Sequence, residues 1–161
     1  MTMRNSDFET AFLRAALATG FFSAVADRFG LWGPPGTQHV AWGNMAHFFR
    51  YVAILNPWFP AALIPTVGWL ATFAEIALGL LLLIGFQTRW AARLSGLLLL
   101  AFAFGMTAGS SVKSAFDASV FAASAASFLL AKASRFPWSI DSMIQTKSYS
   151  EANQEKRCNP I

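Results

Sequence analysis

One carboxylate, Glu75, stands at the centre of an otherwise apolar segment. Residues 65–86 read PTVGWLATFAEIALGLLLLIGF, and Glu75 is the only ionisable residue among these 22. Placing a charged carboxylate at the middle of a bilayer costs about 2.5 to 3.5 kcal/mol on insertion scales, so such a group is protonated, paired or hydrated. Buried acids of this kind carry protons in many membrane proteins, and Glu75 is therefore a candidate catalytic residue.

The cation that the sequence offers to Glu75 is Arg14, which interrupts the first apolar segment at residues 8–29. At a helical rise of 1.5 Å per residue, Arg14 lies about 9 Å and Glu75 about 16 Å from the inner ends of their segments. An arginine side chain covers this difference, so we expect an Arg14–Glu75 ion pair. The alternative is that Arg14 extends to lipid phosphates and Glu75 is a neutral acid bonded to Thr72 or to the backbone.

The composition indicates a protein that uses lipid as part of its solvent. Only 12% of the residues are charged and 55% are apolar, with a mean hydropathy of +0.46, whereas soluble domains are about 25% charged. The lysines and arginines are scattered rather than clustered, which argues against nucleic-acid binding. The single cysteine, Cys158, excludes an intrachain disulfide and a C-x-x-C redox pair.

Four apolar segments approach the roughly 20 residues that a helix needs to cross a bilayer. They are residues 8–29, 65–86, 91–108 and 114–131, and they predict an all-α integral membrane four-helix bundle. With the N-terminus inside, nine of the twelve Lys and Arg residues lie on the inner side, which predicts that both termini are cytoplasmic. Cleavage after Ala24-Val25-Ala26 is the competing interpretation, but Asp7 and Glu9 are atypical of a signal peptide, so we expect a retained N-terminus.

The connection between the first two segments is too long to be an idle loop. Residues 40–55 repeat Trp42, Met45, Phe49 and Val52 on one side of a helix, which predicts an amphipathic helix lying on the outer mouth of the bundle. The polar residues 137–161 are expected to be a disordered cytoplasmic tail, so that the bundle itself occupies residues 1–136.

Small residues recur at four-residue steps and predict close helix packing in lipid. Gly68, Thr72, Glu75 and Gly79 share one face of the second segment, so Glu75 is expected to point into the bundle, with the two glycines leaving room for a ligand beside it. The corresponding runs in the other segments are Ala16, Gly20 and Ala24; Ala101, Gly105 and Gly109; and Ala118, Ala122 and Ala126.

Between Phe12 and Ala131 the chain resembles the DoxX family of small four-helix membrane proteins. The resemblance rests on LRAALATGF at residues 13–21, on AEIALGLLLLIGFQTR at residues 74–89, and on FDASVF at residues 116–121. It implies a bacterial or archaeal plasma membrane. Some members look like subunits of thiosulfate:quinone oxidoreductase, and others are associated with thiol and oxidant-defence enzymes.

The resemblance implies a quinone-linked or sulfur- and thiol-redox accessory subunit that acts with a partner oxidoreductase. A quinone is then the expected cofactor, with Glu75 as its proton donor beside Arg14. The sequence has no dinucleotide fingerprint, and His39 and His47 lie in one loop without an evident third metal ligand. Neither a nucleotide, a haem nor a metal is therefore expected, and any electrons must come from a partner or from a sulfur substrate.

A second candidate site is the outer mouth, where Asp27, Arg28, His47 and Asp117 could surround one entrance and bind a small anion such as thiosulfate. In the alternative interpretation, Asp27 and Arg28 are interfacial groups, Asp117 caps a helix and His47 faces solvent. Two other function classes stay open: transport of a proton or small solute, for which four short spans would need a homo-oligomer, and a scaffold that anchors soluble partners.

Overall fold

The computed structural model describes residues 5–144 and 146, and this part of the chain is helical without strands. A 3-10 turn at Ala61–Leu63 leads into the third helix. The helices of the bundle are α1 (Asn5–Arg28), α2 (Met45–Leu55), α3 (Ile64–Ile84), α4 (Thr88–Gly109), α5 (Val112–Asp117) and α6 (Val120–Ala131), and residues 140–144 are also helical. The all-α prediction is confirmed for the described residues.

Four helices contact one another in a closed ring: α1 packs on α3, α3 on α4, α4 on α6, and α6 on α1. Their shared core is apolar and contains Leu17, Phe21, Leu78, Leu82 and Leu130. The short helix α2 packs against α3 and α4 at one end of this ring, which we call the α2 end. The opposite end, which holds the turn between α3 and α4, is called the turn end.

Two stretches of the described chain are long and apolar enough to cross a membrane, residues 61–84 and Thr88–Gly109. They correspond to the predicted segments 65–86 and 91–108. The predicted segment 8–29 is a single helix, α1, that carries several charged residues. The predicted continuous helix over 114–131 is wrong, because Ser119 has a φ of +53° and separates α5 from α6. A residue in this left-handed conformation interrupts the helical hydrogen-bond ladder.

The amphipathic helix predicted over residues 40–55 is present but begins later, at Met45. Gly43 has a φ of +67°, and Asn44 caps the helix by accepting a hydrogen bond from the backbone N–H of His47 at 2.9 Å. This side-chain cap satisfies one of the free N–H groups of the first turn. The buried side of the helix consists of Phe48, Val52 and Leu55, at helical spacing, and it faces α3 and α4.

The chain beyond α6 returns to the turn end and packs there. Phe136 and Ser139 are buried, and both carboxylate oxygens of Asp141 accept hydrogen bonds at 2.8 Å, from the backbone N–H groups of Gln87 and Thr88. Asp141 therefore caps α4, whose own N-cap residue provides no side-chain hydrogen bond. The prediction of disorder from residue 137 onward is wrong for residues 137–144, and residues 147–161 lie outside the described part of the chain.

Candidate functional site

A buried ion pair joins the end of α1 to the middle of α3. Nη2 of Arg28 donates a hydrogen bond to Oε1 of Glu75 at 2.8 Å, and Nη1 of Arg28 contacts Oε2 of the same carboxylate. Nη1 also donates to Oγ1 of Thr72 at 2.9 Å. The two charged side chains are only 3% and 2% exposed, so the two-point contact is formed away from bulk solvent, where charge-assisted hydrogen bonds are strong.

The predicted Arg14–Glu75 pair is wrong, because α1 and α3 are antiparallel in a different register. The ring of Phe22 packs against Gly79, and the guanidinium of Arg14 lies beside Gly85. Glu75 is ten residues from Gly85, or about 15 Å along the helix axis. The sequence-based prediction assumes that the two apolar segments end at one level, whereas the residues of α1 before Arg14 extend past the end of α3.

Arg14 instead donates hydrogen bonds to the chain at the turn end. Its Nη1 donates to the carbonyl of Pro137 at 3.0 Å, and its Nη2 donates to the carbonyl of Trp138 at 2.7 Å. These hydrogen bonds attach the segment after α6 to α1. A buried guanidinium is tolerated when it donates hydrogen bonds to backbone carbonyls, which explains why an arginine is found inside an apolar segment.

The prediction that Glu75 faces the bundle is confirmed. Gly68, Thr72, Glu75 and Gly79 are all buried in α3, and Oγ1 of Thr72 donates to the carbonyl of Gly68 at 2.8 Å while accepting from Arg28. Thr72 therefore uses its hydroxyl as both donor and acceptor, which orients the guanidinium toward Glu75.

The two glycines on this face do not leave room for a ligand, as was expected of them. A Cβ at Gly68 would lie 2.6 Å from Cδ1 of Phe49, and a Cβ at Gly79 would lie 2.9 Å from Cε1 of Phe22. Both positions are filled by aromatic rings that pack onto the bare backbone.

Two aromatic rings cover the arginine of the pair. The guanidinium carbon of Arg28 lies 3.8 Å from the ring centroid of Phe48 and 5.2 Å from that of Trp42. The two rings contact each other edge to face, with centroids 5.1 Å apart. Cation–π attraction grows when the cation is desolvated, so Trp42 and Phe48 both shield and stabilise the charge.

Asp27 holds the loop that brings Trp42 to this place. Its carboxylate accepts hydrogen bonds from the backbone N–H groups of Ala41 at 2.8 Å, Trp42 at 3.2 Å and Gly43 at 2.8 Å. Asp27 is 6% exposed, and its carboxylate oxygens are occupied by these hydrogen bonds from the backbone. Asp27, which was predicted to lie at the outer mouth, therefore anchors the loop next to the Arg28–Glu75 pair.

The remaining two predicted mouth residues lie in different surroundings. His47 is half-buried, and its Nδ1 lies 3.0 Å from Oδ1 of Asn44. Asp117 is 64% exposed and forms an ion pair with Lys113 one turn away in α5, so it does not begin the last helix. Within residues 5–144 and 146, no three His, Cys, Asp or Glu side chains are grouped so as to hold a metal ion.

The Arg28–Glu75 pair forms part of the wall of a cavity of about 1100 Å³. Every helix of the ring and α2 contribute to this wall, which is mostly alanine, glycine, leucine and phenylalanine. A large apolar cavity with few polar groups is the usual form of a small-molecule site. Besides the ion pair, the polar residues that line the wall at the α2 end are His47, Arg50, Tyr51 and Asn56. Burial raises the pKa of Tyr51 above its ordinary value, so its phenol stays protonated and can donate a hydrogen bond.

The small residues on α1 line this cavity and do not form the predicted close contact between helices. Ala16, Gly20 and Ala24 are all in its wall, and a Cβ at Gly20 would meet no atom within 4 Å. Close packing is found at Gly109 instead, where a Cβ would meet the backbone of α2. In α6 the buried residues include Ser124 and Ser127 rather than the predicted alanine run.

Sequence reasoning missed that Arg28, rather than Arg14, pairs with Glu75. One signal was available: Arg28 follows Ala16, Gly20 and Ala24 at the same four-residue step, and therefore shares their face of α1. The roles of Trp42, Phe48 and Tyr51 depend on how the loop folds back, for which the sequence carries no comparable periodic signal.

A family model described as TQO small subunit DoxD matches residues 9–158. The predicted resemblance to the DoxX family is confirmed at the level of the clan to which both families belong. The match continues well past Ala131, so the resemblance covers more of the chain than predicted. No curated protein and no solved structure matches the chain.

Proposed function

Since the chain belongs to the DoxD family, whose model describes the small subunit of thiosulfate:quinone oxidoreductase, we propose that it is the membrane subunit of such an oxidoreductase and that its cavity binds the quinone. The observation that carries this proposal is the buried Arg28–Glu75 pair in the wall of a large apolar cavity. The family is membrane-associated, which agrees with a lipid-soluble ligand.

The residues in the cavity fit a quinone. Its ring and tail are apolar, and its two carbonyl oxygens accept hydrogen bonds. Nε of Arg28 is buried without a hydrogen-bond partner among the described residues, and an unsatisfied buried donor is costly. This donor and the phenol of Tyr51 are the groups that would hold the carbonyl oxygens.

A quinone takes up protons together with electrons when it is reduced. We assign this proton to Glu75, because its carboxyl group lies in the cavity wall and is held there by a hydrogen bond from Arg28. Thr72 and the rings of Trp42 and Phe48 keep the guanidinium in position. Arg28 therefore orients the carboxylate, and Glu75 accepts and releases the proton.

The electrons enter from outside this chain. Its sequence has one cysteine and no dinucleotide fingerprint, so it offers neither a dithiol nor a nucleotide site. A partner subunit, or a sulfur substrate bound with that subunit, would supply them. A chain that handles the proton while a partner supplies the electrons fits an accessory subunit better than a complete enzyme.

We further propose that α1, α3, α4 and the α5–α6 pair cross the bilayer with both termini in the cytoplasm. The basic residues concentrate on the side of the turn end, as the positive-inside rule requires. The α2 end, with Asp27 and the Arg28–Glu75 pair, then lies toward the outer face, and α2 covers it as an interfacial helix.

Quinone binding to the purified protein tests the proposal. Quenching of tryptophan fluorescence by a quinone should saturate with the wild type, because Trp42 lines the cavity. The double variant Arg28→Gln/Glu75→Gln should weaken binding by at least about tenfold, the equivalent of one lost charge-assisted hydrogen bond. Asp117→Asn, which alters only an exposed ion pair, is the matched control. Equal affinity in the wild type and the double variant would remove the case for this site.

A further inference from the structure

A row of small residues on α1 leads to the ion pair. Ala16, Gly20, Ala24 and Arg28 follow one another at four-residue steps, and all four line the cavity. The axial distance from Ala16 to Arg28 is about 18 Å at 1.5 Å per residue. The cavity is therefore elongated along α1 and carries its charged groups at the α2 end.

The wall around the far part of this line is apolar. The apolar side chains that line the cavity include Leu17 and Phe21, which follow Ala16 and Gly20 in α1, and Leu98 and Leu99 from α4. Gly20 is exposed and a Cβ there would meet no atom within 4 Å, so the wall is open at this position and a larger side chain would occupy the space. The polar groups of the site and this apolar channel thus lie at different levels of one cavity.

We propose that Ala16, Gly20 and Ala24 form a tail channel that selects ligands by the length of their apolar chain. The inference rests on the proposed function, because it assigns the head of a quinone to the Arg28–Glu75 pair and its hydrocarbon tail to the channel. The independent observation is Nε of Arg28, which is buried and unpartnered among the described residues at the head of the line. It fixes the direction in which an amphiphile would bind.

Side chains added along the channel should shorten the tail that it accepts. Gly20→Leu fills the middle of the channel, and Ala16→Leu fills its far end. Ala15→Leu is the matched control, since Ala15 is as exposed as Ala16 and Gly20 on the same helix but does not line the cavity. A Cβ at Gly20 would displace no neighbouring atom, and circular dichroism and gel filtration test the folding of each variant.

The experiment measures dissociation constants for quinones that share one head group and carry no tail, a short tail or a long tail. Ala16→Leu should weaken only the long-tailed quinone, by at least about tenfold, the effect of roughly two lost buried methylenes. Gly20→Leu should weaken the short-tailed and long-tailed quinones. The tail-less quinone and the Ala15→Leu variant should be unaffected.

Two results would overturn the channel while leaving the proposed function intact: equal effects of Ala15→Leu and Ala16→Leu, or equal affinity of the wild type for tailed and tail-less quinones. If the wild type binds no quinone at all, the proposed function fails. The channel is then tested by the binding of a fluorescent phospholipid. Ala16→Leu should lower this binding, and Ala15→Leu should not. Displacement of the long-tailed quinone by an equal amount of that phospholipid would identify a lipid chain as the occupant and contradict selection by a quinone tail.

Discussion

Arg28 and Glu75 are 47 positions apart in the chain, yet their side chains form one buried ion pair, with Nη2 of the arginine 2.8 Å from Oε1 of the glutamate. Arg28 is the last residue of α1, and Glu75 lies inside α3. The pair therefore sets the register of two antiparallel helices, holds a titratable group at the cavity wall, and links the packing of the bundle to its proposed chemistry.

Glu75→Gln should destabilise the protein strongly, because Arg28 would remain buried without its counter-charge. Loss of one partner of a buried pair costs about 3 to 5 kcal/mol. The double variant Arg28→Gln/Glu75→Gln should recover much of this loss. Thermal unfolding followed by gel filtration measures both. Removing the exposed Lys113–Asp117 pair is the control and should change little. A Glu75→Gln protein with wild-type stability and quinone binding would show that the pair has neither role.

Asp27→Ala should release the loop in front of α2, since three backbone N–H groups lose their common acceptor. Buried donors without partners are costly, so the loop should open to solvent. Hydrogen exchange of Ala41, Trp42 and Gly43 should become faster. Exchange near the turn end should not change. Unaltered protection of these three amides would mean that the carboxylate is not their anchor.

Gly109→Ala and Gly105→Ala should differ sharply, although they lie one turn apart on α4. A Cβ at Gly109 would press into the backbone of Ile54 and Leu55, whereas a Cβ at Gly105 would lie 3.8 Å from its nearest neighbour. Overpacking costs about 1 to 3 kcal/mol, while Gly to Ala inside a helix favours folding by about 0.5 to 1 kcal/mol. Gly109→Ala should therefore lower Tm and Gly105→Ala should not. Equal shifts would contradict the contact between α2 and α4.

Asp141→Ala should loosen the turn end. The first N–H groups of α4 would lose their capping carboxylate, which costs about 0.5 to 2 kcal/mol for a helix N-cap. The expected observation is a lower Tm with faster exchange at Gln87 and Thr88. Asp141→Asn keeps one acceptor oxygen and should lie between the wild type and the alanine variant. If all three proteins unfold together, the segment after α6 does not stabilise α4.

Membrane topology remains a prediction from the distribution of basic residues. Cysteine labelling in sealed cells tests it, with Cys158→Ser as the background. A cysteine introduced at Gln38, in the loop before α2, should react with a reagent that cannot cross the membrane. Native Cys158 should react only after the cells are opened. Labelling of Cys158 from outside would reverse the proposed orientation.

The sequence alone determined the helical class, most helix positions and the inward direction of Glu75. These features depend on neighbours within one segment: apolar length, and a repeat of small and polar residues every three or four positions. The resemblance to a family of small membrane proteins also followed from short motifs, and the family match at residues 9–158 agrees with it at the level of the clan.

The tertiary structure decided which cation pairs with Glu75. Hydropathy indicates which residues belong to a helix, but it does not determine the axial position of that helix relative to a neighbouring helix. The sequence-based prediction assumes that α1 and α3 end at the same level. Because they do not, it selects Arg14 as the partner of Glu75 instead of Arg28. The observed register places Phe22 against Gly79 and Arg14 beside Gly85, and these are contacts between residues far apart in the chain.

The two ends of the bundle were also decided by tertiary contacts. Asp27 binds a loop that returns 14 to 16 residues later, and Asp141 caps a helix that begins 53 residues earlier. Both residues look like ordinary polar positions in the sequence, because a carboxylate that accepts backbone N–H groups leaves no periodic pattern. Their roles exist only once the folded chain has brought the donors to them.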